Sequence, residues 1–346
     1  MKKLVTCISA TMLFISCSEQ KYKSSVRFSF SDIPEQTHLK GTAVAFEDIF
    51  KPIRLYIKDS ILFTVNQSQE YFVTAYNLNS TEKIGDFMPF GSGPDEVLGI
   101  RSIQFADSSV WIFDRMRQNL FKYGFEQFLY NREIVPSMKT QTDNTDRILI
   151  VDSLLLTNSM SRHEARFSIY DMTGNFLKDA GELPDAGIDM TELERLESYF
   201  CDIALNPADK SVFVAYMNTD LIEIYDKNGT LKTRRHGPEH FFPVRKQMSS
   251  DGDIRVRSVP GVTRDAYFWP VAFEDEIWTI YSGKAFDPSV KDAFLCNDIL
   301  VFDWNGRPIR HYITDIPFFS IAIDRAGSAI YGITLNPEFS IVKYNY

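Results

Sequence analysis

One feature limits the folds open to this chain more than any other: it repeats, in its turns rather than in its identities. An apolar strand ends in Tyr or Phe, then Asp and a Gly-containing turn, at Ile169-Tyr170-Asp171-Met172-Thr173-Gly174, Ile224-Tyr225-Asp226-Lys227-Asn228-Gly229 and Val301-Phe302-Asp303-Trp304-Asn305-Gly306. Degenerate copies stand at Tyr76-Asn77-Leu78-Asn79 and Tyr123-Gly124-Phe125, and Lys343-Tyr344-Asn345-Tyr346 is a copy cut off at its turn. Asp and Asn bond to nearby backbone amides and Gly accepts positive φ, so each copy marks a hairpin. A second turn precedes each one: Lys58-Asp59-Ser60, Ala106-Asp107-Ser108, Val151-Asp152-Ser153, Asn206-Pro207-Ala208-Asp209, Glu274-Asp275-Glu276 and Asp324-Arg325-Ala326-Gly327. The flanking segments, such as Val110-Trp111-Ile112-Phe113 and Ile277-Trp278-Thr279-Ile280, are short, β-branched and aromatic, as strands are. The Tyr/Phe positions 76, 123, 170, 225, 302 and 344 lie 47, 47, 55, 77 and 42 residues apart. Two hairpins per unit and six units predict an all-β, six-bladed β-propeller with four-stranded antiparallel blades. A pair of two-sheet sandwiches accounts for the strands but not for six paired turns.

The sixth unit stops before its fourth strand, which would leave a sheet edge open. An N-terminal strand is therefore expected to close the ring, and the alternating stretch Val26-Arg27-Phe28-Ser29-Phe30 is the candidate. The long interval from 225 to 302 marks an insertion, His236 to Arg264, rich in Pro, Arg and Ser. Excursions from a regular repeat usually emerge on one face, often the binding face.

Ahead of the repeats, Met1-Lys2-Lys3 is a short basic segment and Leu4 to Ile15 an apolar one, the pattern of a secretory leader. The apolar run stops at Phe14-Ile15-Ser16-Cys17 and is followed by polar Ser18-Glu19-Gln20-Lys21. This resembles the lipobox of bacterial lipoproteins, with Phe14 where Leu is usual. The resemblance implies a signal peptide over 1–16, acylation of Cys17, and a lipid-anchored linker over 17–25 before a propeller over 26–346. The alternative is an ordinary cleaved leader with an unrelated cysteine. Two or more acyl chains anchor stably, so the expected location is the cell envelope, tethered to the outer membrane with the face undecided. Without Lys2 and Lys3 the remaining chain carries 35 − 46 = −11, a charge that repels phosphate backbones and argues against a nucleic-acid partner. Cys201 and Cys296, both within apolar segments, suit buried free thiols better than a disulfide.

The junction Phe90-Gly91-Ser92-Gly93-Pro94-Asp95-Glu96-Val97-Leu98 resembles the Gly-x-Gly-Pro-x-Glu-Phe signature of TolB-like six-bladed propeller lipoproteins of Gram-negative bacteria, with Val97 in place of Phe. A partial echo stands at His236-Gly237-Pro238-Glu239-His240-Phe241, and Phe46-Glu47-Asp48-Ile49-Phe50 fits the start of the first blade. The resemblance implies the fold and an envelope location and brings little chemistry with it.

The chemical motifs are weak. Gly91-Ser92-Gly93-Pro94 runs from strand to strand, whereas a phosphate loop feeds a helix, so it reads as an inter-blade turn with Glu96 bonding to backbone amides. Gly237-Pro238 denies His236 and His240 the helix that would set them on one face as a zinc pair. Asp251-Gly252-Asp253 has too few oxygens for a calcium loop, and no metal or cofactor is expected. Asp202, Glu274 and Asp275 lie near innermost-strand positions, where paired acids would serve a glycan hydrolase or lyase. Loop arginines and aromatics, namely Arg101, Arg162, His163, Tyr199 and Trp269, are the ligand-binding candidates, since aromatic platforms with charged neighbours suit sugars and peptides. The expected function is a tethered scaffold presenting its loops to an envelope protein, peptide or glycan, with a propeller enzyme as the alternative.

Overall fold

Six sheets stand side by side around a channel, each built from a consecutive stretch of chain. The computed structural model describes residues 22–67, 70–131, 138–139, 145–159, 165–250 and 253–346. The innermost strands of blades one to six are Pro52–Lys58, Ile100–Ala106, Thr145–Val151, Cys201–Leu205, Tyr267–Ala272 and Ser320–Asp324. From each, an antiparallel meander runs outward, as in the order Pro52–Lys58, Ile61–Asn66, Tyr71–Asn77, Lys83–Pro89 of blade one. All innermost strands therefore start at one end of the channel, here termed the top face, which also carries the inter-blade loops.

The recurrent turns owe their regularity to local bonding. Asp171 Oδ1 accepts from the amides of Thr173 (2.8 Å) and Asn175 (3.0 Å), and Asp226 Oδ1 from Asn228 (2.8 Å) and Thr230 (2.9 Å). Asp303 Oδ1 does the same for Asn305 and Arg307, both at 2.9 Å. Gly174, Gly229 and Gly306 follow with φ of 87°, 83° and 73°, a region closed to most side chains. Between blades, faces alternate into aromatic-rich cores. Phe213, Ile222, Tyr267, Tyr281 and Phe302 fill the space between blades four and five.

The ring is closed by the chain's beginning, but by a different segment from the one expected. Gly41–Val44 pairs antiparallel with Ser340–Asn345 and completes blade six. Val26–Arg27 instead adds in parallel to Leu231–His236 of blade four, and Glu35–Leu39 in parallel to Pro308–Phe318 of blade five. The closing strand approaches its partner closely: a Cβ at Gly41 would lie 2.5 Å from Val342 Cγ1 and 2.7 Å from Tyr344 Cε1, so a side chain there would force its neighbours to shift. Phe28, from the stretch expected to close the ring, is buried against Phe302 at 5.8 Å between ring centroids.

The insertion leaves the outermost strand of blade four at the top face. It contains a hairpin, Arg245–Ser250 with Asp253–Ser258, whose Gln247 amide donates to Glu194 of the short helix Glu192–Ser198 (2.9 Å).

Candidate functional site

Four of the six innermost strands carry a β-bulge at their top end. The register slips between Pro52 and Arg54, Ile100 and Ser102, Thr145 and Arg147, and Phe268 and Val271. A bulge inserts an unpaired residue and re-aims the side chains around it. Here the four bulges bring Arg54, Arg101, Asp146, Arg147 and Trp269 together, with Asp202 of blade four.

Trp269 lies at the centre. The guanidinium carbon of Arg54 is 3.3 Å from its ring centroid, that of Arg147 5.1 Å and that of Arg101 5.5 Å. These contacts join blades one, two and three to blade five, which none of them adjoins, so the indole stands on the channel axis. Trp269 has φ of 53°, strained backbone for a bulky residue, and its amide donates to Asp202 Oδ2 at 2.9 Å.

Charge pairs knit the remainder. Arg101 forks onto Asp146 through Nε (3.0 Å) and Nη2 (3.0 Å), Arg115 Nε reaches Asp146 at 3.3 Å, and Arg147 binds Asp202. Burial alone would raise the Asp202 carboxyl, but Arg147, Arg54 and Arg101 outweigh it and hold the group below the usual carboxylate range. Burial pulls the Arg54 guanidinium down to about 10, which still leaves it a cation at neutral pH. Although the residue is partly exposed, Arg54 Nη1 is buried with no hydrogen-bond partner, and Arg54 makes no ion pair among the described residues.

Of the residues singled out from sequence, the structure brings Arg101 and Trp269 into this cluster. Tyr199 is 2% exposed and packs edge-on against Tyr22 and Tyr216. Arg162, His163 and Cys17, like Asp251 and Gly252, lie outside the described residues. Among the acids, Asp202 is in the cluster, while Asp275 sits on the opposite face in an exposed pair with Arg325 (2.6 Å), beside the exposed Glu274. His236 Nε2 is 3.1 Å from Asp220, His240 Nε2 is 2.9 Å from the Phe28 carbonyl, and no group of three or more metal-ligating side chains occurs among the described residues. The Gly-Ser-Gly-Pro junction is a turn: Glu96 Oε2 accepts from the Gly93 amide at 2.6 Å, and a Cβ at Gly91 would overlap that carboxylate.

Arg54, Arg115, Asp146 and Arg147 are not among the residues singled out from sequence, although a signal existed for two of them, Arg54 and Arg147. Arg54, Arg101 and Arg147 are separated by 101 − 54 = 47 and 147 − 101 = 46 residues, and Asp202 follows after 55, nearly the intervals of the first turns.

A cavity of about 890 Å³ opens elsewhere, between the outer strands of blades three and four, lined by Lys23, Asp179, Glu182, Tyr225 and Arg234 among others. Its central polar groups already satisfy one another, with Tyr225 and Arg234 both on the Glu223 carboxylate. In the channel cluster, by contrast, Arg54 Nη1 and Arg147 Nε are left without acceptors.

A family model described as TolB-like 6-blade propeller-like matches residues 29–326. Among solved structures, a DUF4221 member from Bacteroides vulgatus aligns with TM-score 0.54 at 9% identity, covering 88% of this chain and 95% of its own. A putative exported protein from Bacteroides fragilis aligns with TM-score 0.52 at 13% identity, covering 92% and 99%. At such identities these two similarities speak to the fold alone. No curated protein matches the sequence.

Proposed function

Since the chain belongs to the TolB-like six-bladed propeller family, we propose that it is a binding propeller that seats its ligand on the top face, at the Trp269 cluster, and is lipid-tethered in the cell envelope through Cys17. The observation that carries the reading is the convergence of bulges from four blades on one point of the channel axis. Bulges and strained backbone cost stability and recur beside functional sites, where they aim side chains. The insertion and the inter-blade loops surround the same end, which suits a peptide, glycan or envelope protein as partner.

A hydrolase or lyase would need one carboxyl free to protonate and another free to act as base. Asp146 and Asp202, the two carboxylates of the cluster, are both held by arginines, so the arrangement orients a ligand better than it transfers protons.

The tether reading has a geometric consequence. Tyr22 is fully buried, and its hydroxyl lies 3.0 Å from Thr219 in a top-face loop of blade four. Cys17 precedes it by five residues, at most about 17 Å of extended chain. An acylated Cys17 would hold the ligand-bearing face close to the bilayer. The test of the binding reading is a glycan array and a peptide library probed with the full chain. Binding retained by wild type and lost in Trp269→Ala and Arg101→Ala, with both variants folded, supports it; equal binding by all three overturns it.

A further inference from the structure

The cluster holds more cation than its acids neutralise. Arg54, Arg101, Arg115 and Arg147 face Asp146 and Asp202, leaving 4 − 2 = +2 in a chain whose net charge is −9. None of the N–H groups of Arg54 reaches an acceptor among the described residues, and Arg147 Nε, on a side chain 4% exposed, also lacks a hydrogen bond. Arg147, Arg166, Arg234 and Arg310 each have at least one acceptor, namely Asp202, the Tyr199 carbonyl, Glu223 and Glu276, whereas Arg54 has none among the described residues. A buried donor left without an acceptor is costly. Such a cost persists where something from solution removes it.

The stacking geometry says what that something is. Arg54 holds its guanidinium carbon 3.3 Å from the Trp269 ring centroid, the spacing of a stacked pair, and its fork of N–H groups has no acceptor among the described residues. That fork matches two oxygens of one planar or tetrahedral oxyanion and suits a spherical anion or a neutral hydroxyl poorly. Resting on the reading of the top face as a ligand seat, we propose that the ligand carries a carboxylate or phosphate, which docks on Arg54 and Arg147 above the Trp269 indole. The neutral part of the ligand would lie toward Arg115 and Phe200, the more exposed side of the cluster.

The test uses the full chain in detergent, with inorganic phosphate, acetate and chloride added separately at matched ionic strength while melting and tryptophan fluorescence are followed. Phosphate or acetate is expected to raise Tm saturably and to shift the fluorescence, and chloride to do neither. A response to phosphate alone assigns a phosphate ester, and to acetate alone a carboxylate. Arg54→Gln is expected to weaken the response about tenfold or more, while melting at or above wild type without anion, because it removes a buried donor that nothing in the fold satisfies. Trp269→Phe should keep the Tm response and lose the fluorescence change. The proposal is overturned if wild type shows no saturable response to either oxyanion, if Arg54→Gln responds as wild type does, or if it melts well below wild type without anion. A neutral glycan or peptide bound through Trp269 with no oxyanion response would sink the oxyanion proposal and leave the binding reading standing; no binding of any kind at Trp269 would sink both.

Discussion

Ala43 and Val342 stand opposite each other in the antiparallel ladder of blade six, so two distant parts of the chain meet in one sheet. This pairing joins the sixth blade to the N-terminal segment without a covalent bond. It gives blade six its fourth strand and covers the edge that Ser340–Asn345 would otherwise expose.

Gly41→Val should open that join. The added side chain would meet Val342 and Tyr344 at distances no Cβ tolerates, and the Gly41 amide also donates to Asp315 at 2.8 Å. Overpacking of this kind costs about 1–3 kcal/mol. Chemical denaturation of Gly41→Val and of Thr42→Val, a neighbour without the clash, measures it; equal stability of the two would contradict the steric account.

Phe28→Ala and Tyr22→Ala should both destabilise the propeller, by about 3–5 kcal/mol for loss of a buried aromatic. Phe28 is 4% exposed between blades four and five, and Tyr22 is wholly buried beside His236. The N-terminal segment thus belongs to the folded unit well before the closing strand. A truncation starting at residue 34 that melted like the full chain would refute this.

Asp202 links the channel cluster to acid stability. Its carboxyl is held below the unfolded value of about 3.9, so its contribution is fully present above that pH and is lost as pH falls through the lower folded value. Asp202→Asn leaves Arg147 buried without its counter-charge and should cost about 3 kcal/mol at pH 7. The gap in Tm between wild type and variant should narrow as pH is lowered below about 3.9, where the unfolded carboxyl takes up its proton before the folded one does. A gap constant over that range would place the stabilisation somewhere other than the Asp202 charge.

Cys201 and Cys296 are both buried and unpaired. Burial pushes the Cys201 thiol up and carries that of Cys296 to about 12, so neither forms appreciable thiolate at neutral pH. A thiol reagent should label both only after unfolding. Labelling of either thiol in the native protein at the rate of a free peptide cysteine would show it to be accessible.

Cys17→Ser tests the tether. Wild type is expected in the membrane fraction and labelled by an alkyne fatty acid, and the variant soluble or retained as precursor without label. A labelled variant, or an unlabelled wild type, would exclude this anchor.

The blade count, the turn positions and the missing strand of the sixth unit were legible because their causes are local. Asp171, Asp226 and Asp303 bond to amides two and four residues on, and each is followed by a glycine at positive φ, so the pattern survives poor identity. The closing segment was harder to read. Val26 to Phe30 alternates like a strand, and Gly41 reveals its role only against Val342 and Tyr344. In the channel, Arg101 and Trp269 were found as isolated candidates, whereas Arg54 and Arg147 at nearly the same repeat interval went unread.

By itself, then, the sequence determined the repeat: short-range hydrogen bonds and backbone freedom place the turns, and strand propensity fills the space between them. Only the tertiary structure decided which N-terminal segment latches the ring and which side chains share the axis. Both depend on register between strands far apart in the chain, and a slip of one residue at a bulge turns a side chain from one face of a sheet to the other.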